Sequence, residues 1–382
     1  MNYKDIHIKM FPAKTGDCFF IEFTKADFRV LIDGGFVDTY KQYLKPYLLE
    51  IGKSGRHINL LIISHIDQDH INGIKALLQE NGQAASPQIV KIDEVWFNGF
   101  RHTKLPRSKS EISCYEKAVL EEMAAKNSIS DKTGGINEIS FRQGNSVSEL
   151  LINNGYHWNT SAGGGAICAD LIKSIVWNNI TFKILNPTQN ILNNLAEDWL
   201  WTLQSKCRKV VVTDNRLFDD AFEGAFINEH DDWVAVKKEV SASDETHDYQ
   251  WDILADMDDD EVDNKPANRS SIAVLISYED VMLLFPGDCS VGDFHQMLPD
   301  KIDIVKLPHH GSGKNIDKNF VRKTEVSYYL VSTNGGHAGH PSQKIIANIL
   351  TKAPGSPVII KNYDVPLLDD VGILEGEQEN GD

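Results

Sequence analysis

Hydrophobic and polar positions sort the first hundred residues into a strand-rich segment. "DIHIKMF" (5–11) and "CFFIEF" (18–23) place apolar residues with a period close to two, and "RVLIDGG" (29–35) ends a third such run in a glycine turn. That period predicts strands with one face buried. "NLLII" (59–63) is apolar throughout and reads as a buried strand, whereas "INGIKALLQE" (71–80) spaces its apolar residues for an amphipathic helix. "IDEVWFN" (92–98) predicts another strand. Strand character fades over 101–165, where helical stretches take over, and returns in "SIVWNNITFKILNP" with a turn at Asn178-Asn179. "SIAVLIS", "VMLLFPGD", "IDIVKLPHH" and "VSYYLVS" then read as successive strands, and "PSQKIIANILTK" as a helix with its proline in the first turn.

Between Asp214 and Asn264 the composition turns acidic, culminating in "DILADMDDDEVDN". A run of this kind buries little apolar surface, which predicts a mobile loop or a partner-binding segment. The whole chain of 382 residues carries a formal charge of −17. Such a balance disfavours a protein that coats duplex nucleic acid, because that affinity comes from lysine and arginine meeting phosphate. "RHTKLPRSK" (101–109) is the best basic patch, and a solvated loop is its plain alternative. Five scattered cysteines without a C-x-x-C pair argue against a disulfide framework or a thiolate zinc site. No apolar run approaches the roughly 20 residues a membrane span needs, and the start lacks a signal-peptide core, so a cytoplasmic protein with no membrane contact is expected.

The densest chemistry is "SHIDQDH" (64–70), directly after the buried strand "NLLII". Two histidines and two aspartates at a strand's carboxyl end suit a metal centre: His65 and Asp67 share a side of the extended chain, and Asp69 and His70 open the helix. A dinuclear centre needs a bridging group from another strand end, which Asp288 of "LLFPGD" supplies unless it caps a helix over "SVGDFHQML". His309 and His310 end a further strand. Adjacent residues diverge in an extended chain, so one is expected on metal and the other on substrate, with the assignment open.

"TGDCFFIEF", "LIDGG", "IISHIDQDHINGI", "NRSSIAVLI", "LLFPGD", "KLPHHGS" and "GHPS" occur in an order that resembles metallo-β-lactamase-fold hydrolases, in particular the branch with the hydrolase domain of the competence protein ComEC. The resemblance covers about 1–98 and 268–350. It implies an α/β fold, a four-layer αβ/βα sandwich with a large insertion and the metals at one edge. Residues 1–100 and 266–363 would form the two halves of the metallo-hydrolase domain, 101–165 an inserted helical subdomain, 166–265 strands followed by an acidic, partly mobile insertion, and 364–382 an acidic tail. It implies metal ligands at His65, Asp67, Asp69, His70, Asp288 and His310, with His309 as the alternative to His310. Asp33 would support the metal loop from behind, and His340 would face the metal or the substrate, or else cap the following helix.

Two departures stand out. Asp67 occupies the second histidine position of the superfamily pattern, as in the ComEC-like branch. The superfamily's histidine before the bridging aspartate is missing, with Asn268 nearest its place, and His102, His157, His230 or His247 could replace it only by folding back over the site. An oxygen-rich shell of one or two divalent ions tilts the choice toward manganese over zinc, with magnesium as a third option. The expected activity is a phosphodiesterase or nuclease using a metal-bound hydroxide, with Asp69 orienting it and His309, His340, Ser312 or Lys314 on the leaving side. Its substrate would be nucleic acid or a smaller phosphodiester. The acidic surface then calls for a partner protein at the insertion or the acidic run, as in an effector of a multi-protein bacterial defence system. The alternatives are a small-molecule acyl hydrolase of the lactonase or thioesterase type, and a catalytically silent binding subunit.

Overall fold

The apolar periodicity divides each strand between two cores. The computed structural model describes residues 1–127, 146–207, 210–226, 250–336 and 340–369. Among them the first sheet has the order β1 (Asn2–Tyr3), β2 (Ile6–Met10), β3 (Phe19–Phe23), β4 (Phe28–Ile32), β5 (Ile58–Ile62) and β6 (Ile92–Trp96). β1 to β4 pair antiparallel, and β4, β5 and β6 parallel. The second sheet runs back from β13 (Val358–Lys361) through β12 (Glu325–Val331), β11 (Lys301–Lys306), β10 (Val281–Phe285), β9 (Ala273–Tyr278) and β8 (Ile180–Asn186) to β7 (Ser174–Trp177). It repeats the plan, antiparallel from β7 to β10 and parallel from β10 to β13.

Phe19, Ile21 and Phe23 of β3 meet Phe182, Ile276, Leu283 and Phe285 of the second sheet in a shared central core. Their neighbours Phe20, Leu31 and Leu61 turn outward onto Leu44, Leu48, Ile74 and Leu77 of the helices over the first sheet. Leu275, Leu284 and Val305 do the same toward Phe320, Ile345 and Ile349 over the second. Helix, sheet, sheet, helix is therefore the layer order, and each fully buried aliphatic or aromatic side chain contributes roughly 1.5–3 kcal/mol.

Several elements differ from the sequence expectation. β13 and the helices Lys45–Lys53, Gln189–Lys206 and Leu217–Phe226 were not anticipated. The helix expected over "PSQKIIANILTK" spans Gln343–Thr351 with Ser342 at its N-cap, so Pro341 lies before the helix and not in its first turn. "SVGDFHQML" forms two short 3-10 turns, Val291–Asp293 and His295–Met297. Ser290 caps the first of these turns, which leaves Asp288 to other work.

The helices Cys114–Ala124 and Val147–Asn153 of the insertion share one core with Trp199, Phe218, Phe222 and the outer face of the first sheet. The described end of the acidic run is tied down. Trp251–Asp256 is helical, Arg322 and Lys352 pair with Asp256, and Lys344 with Asp260. The tail "EGEQENGD" and residues 227–249, including His230 and His247, lie outside the described residues. No helix among the described residues is long and apolar enough to cross a membrane.

Candidate metal centre

Every residue of the candidate centre sits just beyond the carboxyl end of a parallel strand, where chain leaving the ladder is free to point its side chains into a common crevice. β4 delivers Asp33, β5 the segment 64–70, β10 Asp288, and β11 His309 and His310. Backbone hydrogen bonds hold these loops together across the sandwich: Ile272 N donates to Ser64 O (2.8 Å), Asp17 N to Asp69 O (3.2 Å) and Gly34 N to His70 O (2.9 Å). A Cβ on Gly16 would lie 2.0 Å from Asp69 O, so only glycine admits that approach.

Asp33 adopts a left-handed backbone (φ 57°), which aspartate tolerates, and this turns its carboxylate back under the loop. Oδ1 accepts from Ser64 N (2.7 Å), and Oδ2 from Ser64 Oγ (2.7 Å) and His70 Nδ1 (2.9 Å). Having donated its own proton, Ser64 Oγ accepts from His65 Nδ1 (3.0 Å). His310 Nδ1 donates to Ser332 O (3.1 Å). With Nδ1 of all three rings committed as donors, each neutral imidazole turns an Nε2 lone pair inward. Those nitrogens face carboxylate oxygens: Asp288 Oδ2 lies 3.3 Å from His70 Nε2, 3.4 Å from His310 Nε2 and 4.0 Å from His65 Nε2. Asp69 Oδ2 is 3.5 Å from His310 Nε2, and Asp67 Oδ2 is 3.7 Å from His65 Nε2.

The three Nε2 atoms are buried and have no hydrogen-bond partner. Imidazole nitrogens and carboxylate oxygens thus crowd one buried centre with no well-aligned hydrogen bond to those nitrogens, and these residues therefore fit divalent cations. Among the described residues, His65, His70 and Asp288, and likewise Asp69, His70 and His310, each offer ligand atoms within 4.8 Å of one another. The electrostatics carry the same demand. Burial pushes the His70 and His310 pKa values down, yet Asp288 and the other carboxylates around them raise both well above the ordinary imidazole value. Burial would raise Asp288, but His70, His310 and Lys306 hold it well below the carboxylate range.

His309 and His310 correct one expectation. They do not leave an extended chain in opposite directions, because both adopt left-handed backbone (φ 47° and 57°). The turn aims both rings at the centre, with His309 Nε2 3.9 Å from Asp288 Oδ2. His310 is buried, whereas the His309 side chain is 18% exposed and its ring centroid lies 5.2 Å from that of His340. Asn268 Nδ2 donates to Asp263 Oδ2 (2.6 Å), the oxygen that lies 3.2 Å from His309 Nδ1. Ser312 Oγ accepts from Lys314 N (3.2 Å) in its own loop, and Lys314 is exposed. His102 is buried against Trp158 and accepts from Gly99 N, and His157 binds Asp93 O, so neither replaces the missing histidine.

Two residues in the quoted motifs carry a role that sequence reasoning missed. Lys306 pairs with Asp17 and lies 3.3 Å from Asp288 Oδ1, and both partners of the pair are 2% exposed or less. Burial would lower the Lys306 pKa, but Asp17 and Asp288 push it up to about 12. This fixed cation engages one oxygen of Asp288 and leaves Oδ2 for the imidazoles. A lysine after an apolar strand carries no spacing signal, so only the partners reveal it.

The family model of the metallo-beta-lactamase superfamily matches residues 12–145, the stretch that holds Asp33 and the 64–70 loop. The observed layer order of helix, sheet, sheet, helix is the αβ/βα sandwich that the resemblance implies. Microtubule-associated protein 1A of Rattus norvegicus and that of Homo sapiens are each 38% identical over 52 residues, 14% of this chain. The chain spans 2% of the length of these curated relatives. The metallo-beta-lactamase fold protein YhfI from Bacillus subtilis is similar in structure with a TM-score of 0.41 and 8% identity, covering 94% of this chain and 96% of that one. The second half of the chain, outside the matched stretch, contributes Asp288, His309 and His310.

Proposed function

We propose that the chain is a metal-dependent hydrolase acting on phosphodiesters, with nucleic acid or a smaller phosphodiester as substrate, in line with its resemblance to the ComEC-like branch. The observation that carries the reading is the convergence on Asp288 Oδ2 of three buried imidazole Nε2 atoms that have no hydrogen-bond partner. His65, Asp67, Asp69, His70, Asp288 and His310 would hold one or two divalent ions, which supply Lewis acidity and lower the pKa of water from 15.7 to about 7. Asp33 fixes the His70 ring and Ser64, so the nitrogen that faces the centre does not depend on solvent. Asp69 presents one oxygen to His70 and the other to His310, which suits it to orient an attacking water. His309, the most exposed of the four rings, and His340 beside it line the side from which substrate and leaving group pass.

Carboxylates at Asp67, Asp69 and Asp288 favour harder ions such as manganese or magnesium, which suit phosphate oxygen. The arginines of the basic loop are already engaged, while its Lys104 and Lys109 are exposed. Arg101 is spent on Asp219 (2.6 Å), and Arg107 lies 3.5 Å from Asp214. For a polynucleotide, repulsion by the acidic surface would be offset by these lysines, by the ions or, as we propose, by a cationic protein docking on the insertion or the acidic run in a multi-protein bacterial system. A small-molecule acyl hydrolase is the second reading. Four imidazoles around Asp288 make a nitrogen-rich set that suits zinc, and this favours it.

Elemental analysis of the purified protein, with turnover of bis(p-nitrophenyl) phosphate against a p-nitrophenyl ester in manganese and in zinc, separates the two. Phosphodiester turnover that depends on Asp69 supports the first. Ester turnover alone, in zinc, replaces it with the second.

A further inference from the structure

We propose that Asp263, delivered by the acidic segment, is a positioning residue of the centre that holds His309 with its proton on Nδ1 and its Nε2 lone pair turned toward Asp288. The effect on rate rests on the hydrolase reading, whereas the tautomer does not. The side chain of Asp263 is 7% exposed, and its Oδ2 lies 3.2 Å from His309 Nδ1. Oδ2 also accepts from Asn268 Nδ2 (2.6 Å) and Asn315 Nδ2 (3.3 Å), and Oδ1 accepts from Lys265 N (3.0 Å). The Asn315 amide nitrogen also donates to Asp288 O (2.7 Å), so the oxygen of that amide is the atom turned to His309 Nδ1, at 3.0 Å. Two acceptors thus meet at one ring nitrogen, and that nitrogen must carry the hydrogen.

The path of the chain explains how an acidic run reaches the site. Asn348 Nδ2 and Arg322 Nη2 donate to Ala255 O (2.9 and 2.8 Å), and Lys318 Nζ to Met257 O (2.8 Å). Lys344 Nζ binds Asp260 Oδ1 (2.5 Å), and Asp263 N donates to Lys314 O (3.1 Å). Burial would raise the Asp263 pKa, but the hydrogen bonds from His309 and Asn268 lower it, so the carboxylate stays charged. Asp263 could instead serve only as a staple between 263–268 and 309–315. A staple needs no particular hydrogen on His309, and that difference is measurable.

Long-range nitrogen–proton correlation on the full chain labelled with 15N-histidine, metal-stripped and at pH 8, reads the tautomer directly, with the His309 signal assigned by its loss in His309→Gln. The expected wild-type signal is a protonated Nδ1. Asp263→Asn should shift it toward the other tautomer and lower kcat on bis(p-nitrophenyl) phosphate about 10- to 100-fold with KM nearly unchanged, and Asp263→Glu should recover part of the loss. A wild-type signal protonated at Nε2 overturns the proposal, as does an Asp263→Asn protein with unchanged tautomer and kcat. Should Asp263→Asn not fold, the wild-type tautomer alone decides. A wild-type protein without turnover sinks the hydrolase reading, and the tautomer still decides the role of Asp263.

Discussion

Lys306 is the residue on which the charge arrangement of the centre turns. It is buried between Asp17 and Asp288, and it donates to Gly287 O (3.0 Å) as well. Replacing it with methionine keeps the length and leaves both carboxylates without their fixed cation. Removing one partner of a buried pair typically costs about 3–5 kcal/mol. Lys306→Met should therefore lower the unfolding free energy read by denaturant titration by an amount of that order, and a value equal to wild type would contradict the assigned role. "IVKLPHH" drew attention to its histidines, and Lys306 passed as a strand residue. Its partner Asp17 is far away in sequence, in "TGDCFFIEF", a motif read only for its family resemblance. Hydrophobic patterning reports which face is buried, and it says nothing of which charges meet inside.

At the scale of elements, the helix Gln68–Asn81 joins the centre to the insertion. Its first turn holds Asp69 and His70, while buried Lys75 donates to Asn127 O (2.7 Å) on its other side. Glu223 of the helix Leu217–Phe226 accepts from Val147 N (2.6 Å), Ser148 N (3.0 Å) and Ser148 Oγ (2.5 Å), and so caps the helix Val147–Asn153 from outside. Glu223→Gln would turn amide hydrogens onto these donors, and a loss of about 1–3 kcal/mol is expected by denaturant titration. Nearby, burial pushes the Asp220 pKa up from 3.8 to about 6. Because the folded state binds that proton more tightly, the stabilisation is complete below about pH 4 and is lost as pH rises through about 6. The melting temperature of wild type relative to Asp220→Asn should accordingly fall from pH 4 to pH 7, and a rising difference would refute the sign. The helices of this region were only partly legible. Their apolar faces complete a core shared with the sheet, and that core is assembled from segments far apart in the chain.

At the scale of the whole molecule, the cage draws on both halves of the chain: Asp33 and the 64–70 loop from the first sheet, Asp288, His309 and His310 from the second. Ions held there would bridge the sandwich and bind the folded state alone. Free ion at about a thousandfold excess over its Kd adds roughly 4 kcal/mol by mass action. Manganese or zinc added to metal-stripped protein should raise the melting temperature, and Asp288→Asn should abolish the rise. An equal rise in that variant would place the bound ion elsewhere.

Periodicity was enough to expect the strands, the ligand-rich turn after β5 and Asp288 at a later strand end, because strands with one or two buried faces declare themselves locally, whereas the stacking of two sheets was implied only by the resemblance. Only the folded chain decided that both histidines of "PHH" face the centre, that Asp263 orients one of them, and that Lys306 neutralises Asp17. Those facts depend on left-handed backbone at two residues and on charges brought together from distant segments. No local pattern encodes either, since each is selected by the packing of the complete sandwich.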